Sequence, residues 1–218
     1  MPARPAWNVL IPAVLTGLSA ATALADPVTL DGITFSDEQG GFRIVGGSGT
    51  GTLDDPFTIT EDITDPEGAV LVVRGLDAAF GNRVPSHHQT GFALRKVVVN
   101  RTGETWTGFD LELREILDAP SDHGDGLSFG QATAVGHPFR SDRLPQLRET
   151  RDPFDALSFD GGDVPPDITV VFDLIVTDMT PEPVFYLMQR RDRPVADGNP
   201  DDNRPRALRL TSVGEPVP

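Results

Sequence analysis

Asp110 and Glu112 stand two residues apart in the run 106–114, WTGFDLELR. On a strand, residues i and i+2 share a face, so the two carboxyls project side by side. Glycoside hydrolysis needs two carboxyl groups about 5 to 9.5 Å apart across a cleft, a separation within reach of such a pair. Trp106 has the same parity and offers a flat aromatic face on which a sugar ring could stack. The expectation is a sugar site built from Trp106, Asp110 and Glu112, set against a plain solvated sheet face.

Two other stretches carry metal-ligand types. Within Asp122-His123-Gly124-Asp125, His123 and Asp125 supply nitrogen and oxygen, and His137 reaches from the same loop. That donor set suits a transition metal, although the chain has neither H-E-x-x-H nor H-x-x-x-H. Further on, Asp197, Asn199 and Asp201 alternate as oxygen ligands do in a calcium loop. An EF-hand would also place Gly and Glu where Asp202 and Leu208 stand, so the run reads as a solvated acidic loop, with a structural Ca²⁺ site of another kind as the alternative. Ser48 lies in Gly-Gly-Ser-Gly-Thr, without the second glycine of a nucleophile elbow. The alternating Gly47, Gly49 and Gly51 lead into Asp54-Asp55-Pro56, a poor phosphate cradle and a natural flexible connector.

These residues must be positioned by strands. Gly and Pro punctuate the chain at short intervals, and the apolar runs between them mostly alternate with period two. Val28–Phe35, Phe42–Val45, Pro56–Ile63, Ala69–Arg74, Ala93–Val99, Phe109–Arg114, Phe154–Phe159, Asp167–Asp178, Pro183–Gln189 and Ala207–Ser212 read as strands. Phe109, Leu111 and Leu113 form one face, with Asp110, Glu112 and Arg114 on the other. The stretch Thr90–Ile116 reads as an antiparallel hairpin closed by Asn100–Glu104, and Asp167–Gln189 as a second hairpin. Trp106 has the parity opposite to Phe109, so it covers the second face unless a bulge near Gly108 returns it to the core. About ten strands without a helical crossover pattern make an all-β, antiparallel β-sandwich with long polar loops. The segment from Asp118 to Asp152 lacks strong periodicity and is expected to be either functional or disordered.

The segment 1–25 reads as a signal peptide: Arg4, the apolar run Val9–Leu18, and Ala23-Leu24-Ala25 before the cut. Residues 26–212 then form a single β-sandwich domain and 213–218 a C-terminal tail. The expected location is secreted or periplasmic, with no transmembrane segment after signal cleavage. The chain has no cysteine, so disulfides, thiolate metal sites and Cys nucleophiles are excluded. With 33 acidic against 18 basic residues, its formal charge of −15 repels phosphate backbones and argues against nucleic-acid partners.

The run Val99–Phe109, with Phe159-Asp160-Gly161-Gly162 and Phe185–Gln189, resembles a type of secreted bacterial β-sandwich found among exported surface proteins. Many of those carry a PEP-type C-terminal sorting signal. Here Val213–Pro218 is not followed by a transmembrane helix and basic tail. The resemblance therefore implies export and fold rather than that sorting route. The resulting expectation is an exported, non-catalytic β-sandwich protein with an interaction or structural role, surface-associated or extracellular. Calcium would stabilise it, and its partner would be a protein or glycan at the cell surface. The alternative is a secreted carbohydrate-binding or carbohydrate-active protein, or a metal-assisted enzyme using the histidine-containing loops.

Overall fold

The computed structural model describes residues 27–65, 67–121, 124–130, 139–150 and 155–191. Among them there are thirteen strands and no helix. The expected count of about ten rises because Val28–Phe35 splits in two and three short strands lie in the 118–152 segment. The expected last strand, Ala207–Ser212, lies outside the described residues.

One sheet contains β1 (Val28–Leu30), β2 (Ile33–Ser36), β5 (Ala69–Arg74), β13 (Val184–Arg191), β7 (Trp106–Arg114), β11 (Ala156–Val164) and β10 (Gln146–Thr150), in that order. The other contains β3 (Phe42–Ser48), β4 (Phe57–Ile63), β6 (Thr90–Asn100), β12 (Thr169–Asp178) and β8 (Leu127–Phe129), with β9 (Arg140–Ser141) also on β12. All pairs are antiparallel except β4 with β6. The parallel pair arises because the chain crosses to the first sheet as β5 and returns through residues 75–89 before β6 begins. A parallel neighbour requires a long return of this kind. The first sheet opens with a tight hairpin in which Asp31 and Gly32 take φ of 46° and 95°. That is the positive-φ pair a two-residue hairpin turn demands.

The Thr90–Ile116 stretch is not a hairpin. Strand β6 belongs to one sheet and β7 to the other, so residues 101–105 form an arch across the sandwich. Both edges of β6 are already occupied, by β4 over seven register pairs and by β12 over ten. The second expected hairpin fails for the same reason, since β12 and β13 also lie in opposite sheets. A period-two pattern reports which face of a strand is buried, and a hairpin and an arch satisfy it equally well.

Aromatic side chains join the two layers. Phe109 of β7 stacks on Phe172 of β12, with ring centroids 4.9 Å apart, and Phe159 of β11 meets the same ring at 5.1 Å. A second cluster sets Phe35 of the first sheet against Phe57 and Phe92 of the second at 5.5 and 6.5 Å. Each such ring removes roughly 150–250 Å² from water, the dominant favourable term in a cysteine-free core. Gly47, expected in a flexible connector, lies inside β3. A Cβ there would stand 2.7 Å from Val28, so glycine lets β1 close over that strand.

Candidate functional site

Trp106 lies in the core. It is 1 % exposed, packs on Phe109 with ring centroids 5.4 Å apart, and donates from Nε1 to Thr102 Oγ1 at 3.1 Å. Trp106 pairs with Val164 and Gly108 with Asp160, so two steps on β7 face four on β11. The extra residues include Gly161 at φ 83°. The pairing is irregular here, and Trp106 and Phe109 both reach the core despite their opposite parity. The indole has no open face to offer a sugar, which removes the stacking platform expected from sequence.

The paired carboxylates are also differently placed. Glu112 is 8 % exposed; Arg114 Nε donates to its Oε1 at 2.7 Å and Arg190 Nη1 stands 3.6 Å from Oε2. Asp110 lies opposite Arg190 in the β13–β7 register. A carboxylate held between two guanidiniums has its oxygens engaged, which suits neither a proton donor nor an unencumbered nucleophile. Asp110 and Glu112, candidate ligand-binding residues from sequence, are therefore not an open acid pair. They belong to a charged seam on the outer face of the first sheet.

Of the expected metal ligands, His123, His137, Asp197, Asn199 and Asp201 lie outside the described residues. Asp125 is described: its Oδ1 accepts from Leu127 N at 2.9 Å, while its buried Oδ2 has no hydrogen-bond partner. Burial, together with the like charges of Asp125, Asp178 and Glu182, pushes the Glu115 carboxyl from its ordinary 4.5 up to about 7. Burial likewise raises Asp178. Among the described residues, no group of three or more His, Asp or Glu is arranged to hold a metal ion.

Glu115 makes stability depend on pH. Between 4.5 and about 7 the folded Glu115 keeps its proton while the unfolded chain has lost it. The native state then binds more protons, so stability falls as pH rises through that window and levels off above it. Asp173 works in a separate, more acidic window. Hydrogen bonds from Arg95 and Arg140 outweigh burial there and hold it below its ordinary value. Glu115→Gln should flatten the slope and raise the melting temperature at pH 8 by about 2–4 °C, on the order of 1 kcal/mol after discounting for solvent screening. An unchanged pH profile in thermal denaturation would contradict this assignment.

The histidine loop gives no nucleophile–base pair among the described residues. Ser128 and Thr177 face one another across β8 and β12, both fully buried, and neither hydroxyl has a hydrogen-bond partner. The His88 Nδ1 is buried and also without a hydrogen-bond partner. Burial lowers the His88 pKa, which favours the neutral ring.

A concavity at the described surface lies between two arches, one holding Thr64, Asp65 and Glu67 and the other residues 101–105. It encloses about 500 Å³ and is lined by Thr64, Asp65, Glu67, Arg101, Thr102, Gly103, Glu104 and Arg191. The arches are tied together where Arg101 N donates to Ile63 O at 2.8 Å. Arg101 reaches Asp62 at 3.3 Å and Asp167 at 2.6 Å, while Arg191 pairs with Glu104 and stands 3.6 Å from Glu67. The cleft wall thus carries three carboxylates, Asp65, Glu67 and Glu104, and two guanidiniums, Arg101 and Arg191.

Sequence reasoning missed a second charged feature. Lys96 and Glu61 meet in the core with no exposure at all. Parity was the available signal: Lys96 alternates with Phe92, Leu94 and Val98, and Glu61 with Phe57, Ile59 and Ile63.

No family model, curated protein or solved structure matches this chain.

Proposed function

We propose that this protein is an exported, non-catalytic β-sandwich interaction module, acting at the cell surface or outside the cell. The observation that carries the reading is the inter-arch cleft lined by Asp65, Glu67, Glu104, Arg101 and Arg191, with its ion pairs. An open cleft of this kind suits a polar partner surface, whose own charges can exchange with ion pairs at the rim. The leader-like segment 1–25 and the resemblance to exported surface sandwiches support the location. The calcium expected at Asp197, Asn199 and Asp201 belongs to the same proposal.

Saturable retention of the labelled protein on washed bacterial envelopes tests it. The protein should be retained, and Arg101→Glu with Arg191→Glu should reduce retention about tenfold or more, as loss of close charge pairs does. EDTA should weaken retention if calcium orders the ligand-binding form. Retention that ignores both arginines would remove the cleft from the account, and absence of retention would remove the interaction role.

A further inference from the structure

Glu61 on β4 and Lys96 on β6 face the space between the sheets from neighbouring strands, at 0 % exposure each. Lys96 Nζ donates to Glu61 Oε1 at 2.5 Å, and Glu61 Oε2 has no partner. In register, Lys96 lies beside Ile59 and Phe172, so apolar side chains flank the pair. Gln189, on the same parity as Phe185 and Leu187 of β13, is also fully buried with both amide atoms unpartnered. This interior holds charge and hydrogen-bonding capacity that its surroundings do not satisfy.

Burial of that kind makes an ion pair costly to keep unless every lone pair and proton is satisfied, and here Glu61 Oε2 is not. Desolvation lowers the Lys96 pKa, with Glu61 opposing it. Passing one proton across the Lys96–Glu61 hydrogen bond yields an amine, a nucleophile, beside a carboxyl, an electrophile. Fixed on adjacent strands, the two groups react at an effective concentration that can reach about 10⁵–10⁸ M, where free groups in water would not condense.

We propose that Lys96 and Glu61 are joined by an intramolecular amide bond that forms once the sandwich closes around them. The Nζ lone pair attacks Cδ of Glu61 and the carbon–nitrogen bond forms. The bond from Cδ to its hydroxyl breaks, an amine proton passes to that hydroxyl, and one water leaves. No oxidant or cofactor takes part. The product replaces a buried ion pair by a neutral amide and fastens β4 to β6 covalently in a chain with no cysteine to do so. It stands independently of the cleft.

Tryptic digestion of the denatured full-length protein tests this by mass spectrometry. Cleavage after Arg43, Arg74, Arg95 and Arg101 isolates residues 44–74 and 96–101, one containing Glu61 and the other starting at Lys96. The expected result is one branched fragment joining them, lighter than their sum by one water, with Lys96 resistant to amine labelling and to cleavage. Lys96→Met should release the two fragments separately. Separate fragments from the unaltered protein, or a joined fragment that survives Lys96→Met, would overturn the assignment.

Discussion

Replacing Trp106 with alanine should destabilise the sandwich by about 3–5 kcal/mol, the usual cost of emptying a large buried aromatic site. For a domain whose whole stability is about 5–15 kcal/mol, that is a large share. The loss has two parts. The indole surrenders its packing on Phe109, which itself carries the stack onto Phe172 across the sheets. The Thr102 hydroxyl also loses the indole N–H that it accepts at 3.1 Å. Trp106→Phe should cost less, because a ring remains while only the hydrogen bond and part of the volume are lost. Chemical denaturation monitored by far-ultraviolet circular dichroism measures both. A change below about 0.5 kcal/mol for Trp106→Ala would mean that the indole is a surface feature after all.

Asn100→Ala should be nearly as damaging, at about 2–4 kcal/mol, although the side chain is small and polar. Asn100 has no exposure and closes the arch from beneath. Its Nδ2 donates to Glu104 O and Val164 O, both at 2.8 Å, and its Oδ1 accepts from Thr102 N at 2.9 Å and Thr102 Oγ1 at 2.6 Å. Alanine leaves these groups without partners where water has little access, so the desolvation penalty dominates. The same Thr102 hydroxyl serves Trp106, so the two substitutions share a partner and should not be additive. A double-mutant cycle over Asn100 and Trp106 should give a coupling of about 0.5–3 kcal/mol, and zero coupling would break the link between arch and core.

The strands and their buried faces are legible in the sequence because burial writes a local period-two signal. Phe109, Leu111 and Leu113 face the core as that signal requires, and Asp31-Gly32 turns as its residue types demand. Partner choice is not local. Asn100–Glu104 has the composition of a hairpin loop, yet β6 is claimed on both edges by strands distant in sequence. One edge is held by β4, which lies before β5, and the other by β12, which follows β11. The side taken by Trp106 is hidden for a related reason: it opens β7 beside the register shift with β11, and Thr102 of the arch holds its indole N–H, neither of which a parity count reads. Glu112 has the pattern of a wet acid because Arg190 reaches it from β13, across a pairing that no short-range pattern encodes.

Lys96 and Glu61 show the opposite failure. Their parity places both on apolar faces, but a charged residue reads as exposed by type, and here position overrides type. A buried charge needs its partner on a neighbouring strand, and the β4–β6 pairing supplying it is the one parallel pair among the named strands. Most of the candidate chemistry moves in the same way. The acids and the indole that converge on a ligand in the sequence serve the seam and the core, and the cleft sits at arches whose approach depends on the sheet crossing.

The central claim is that Trp106 is part of the core and not a platform for a ligand. The fluorescence of Trp106, isolated as the difference between the unaltered protein and Trp106→Phe, tests it most directly. The account predicts a blue-shifted emission that iodide does not quench and that oligosaccharides leave unchanged. A red-shifted emission, readily quenched by iodide and protected by added sugar, would contradict it and restore the sugar platform.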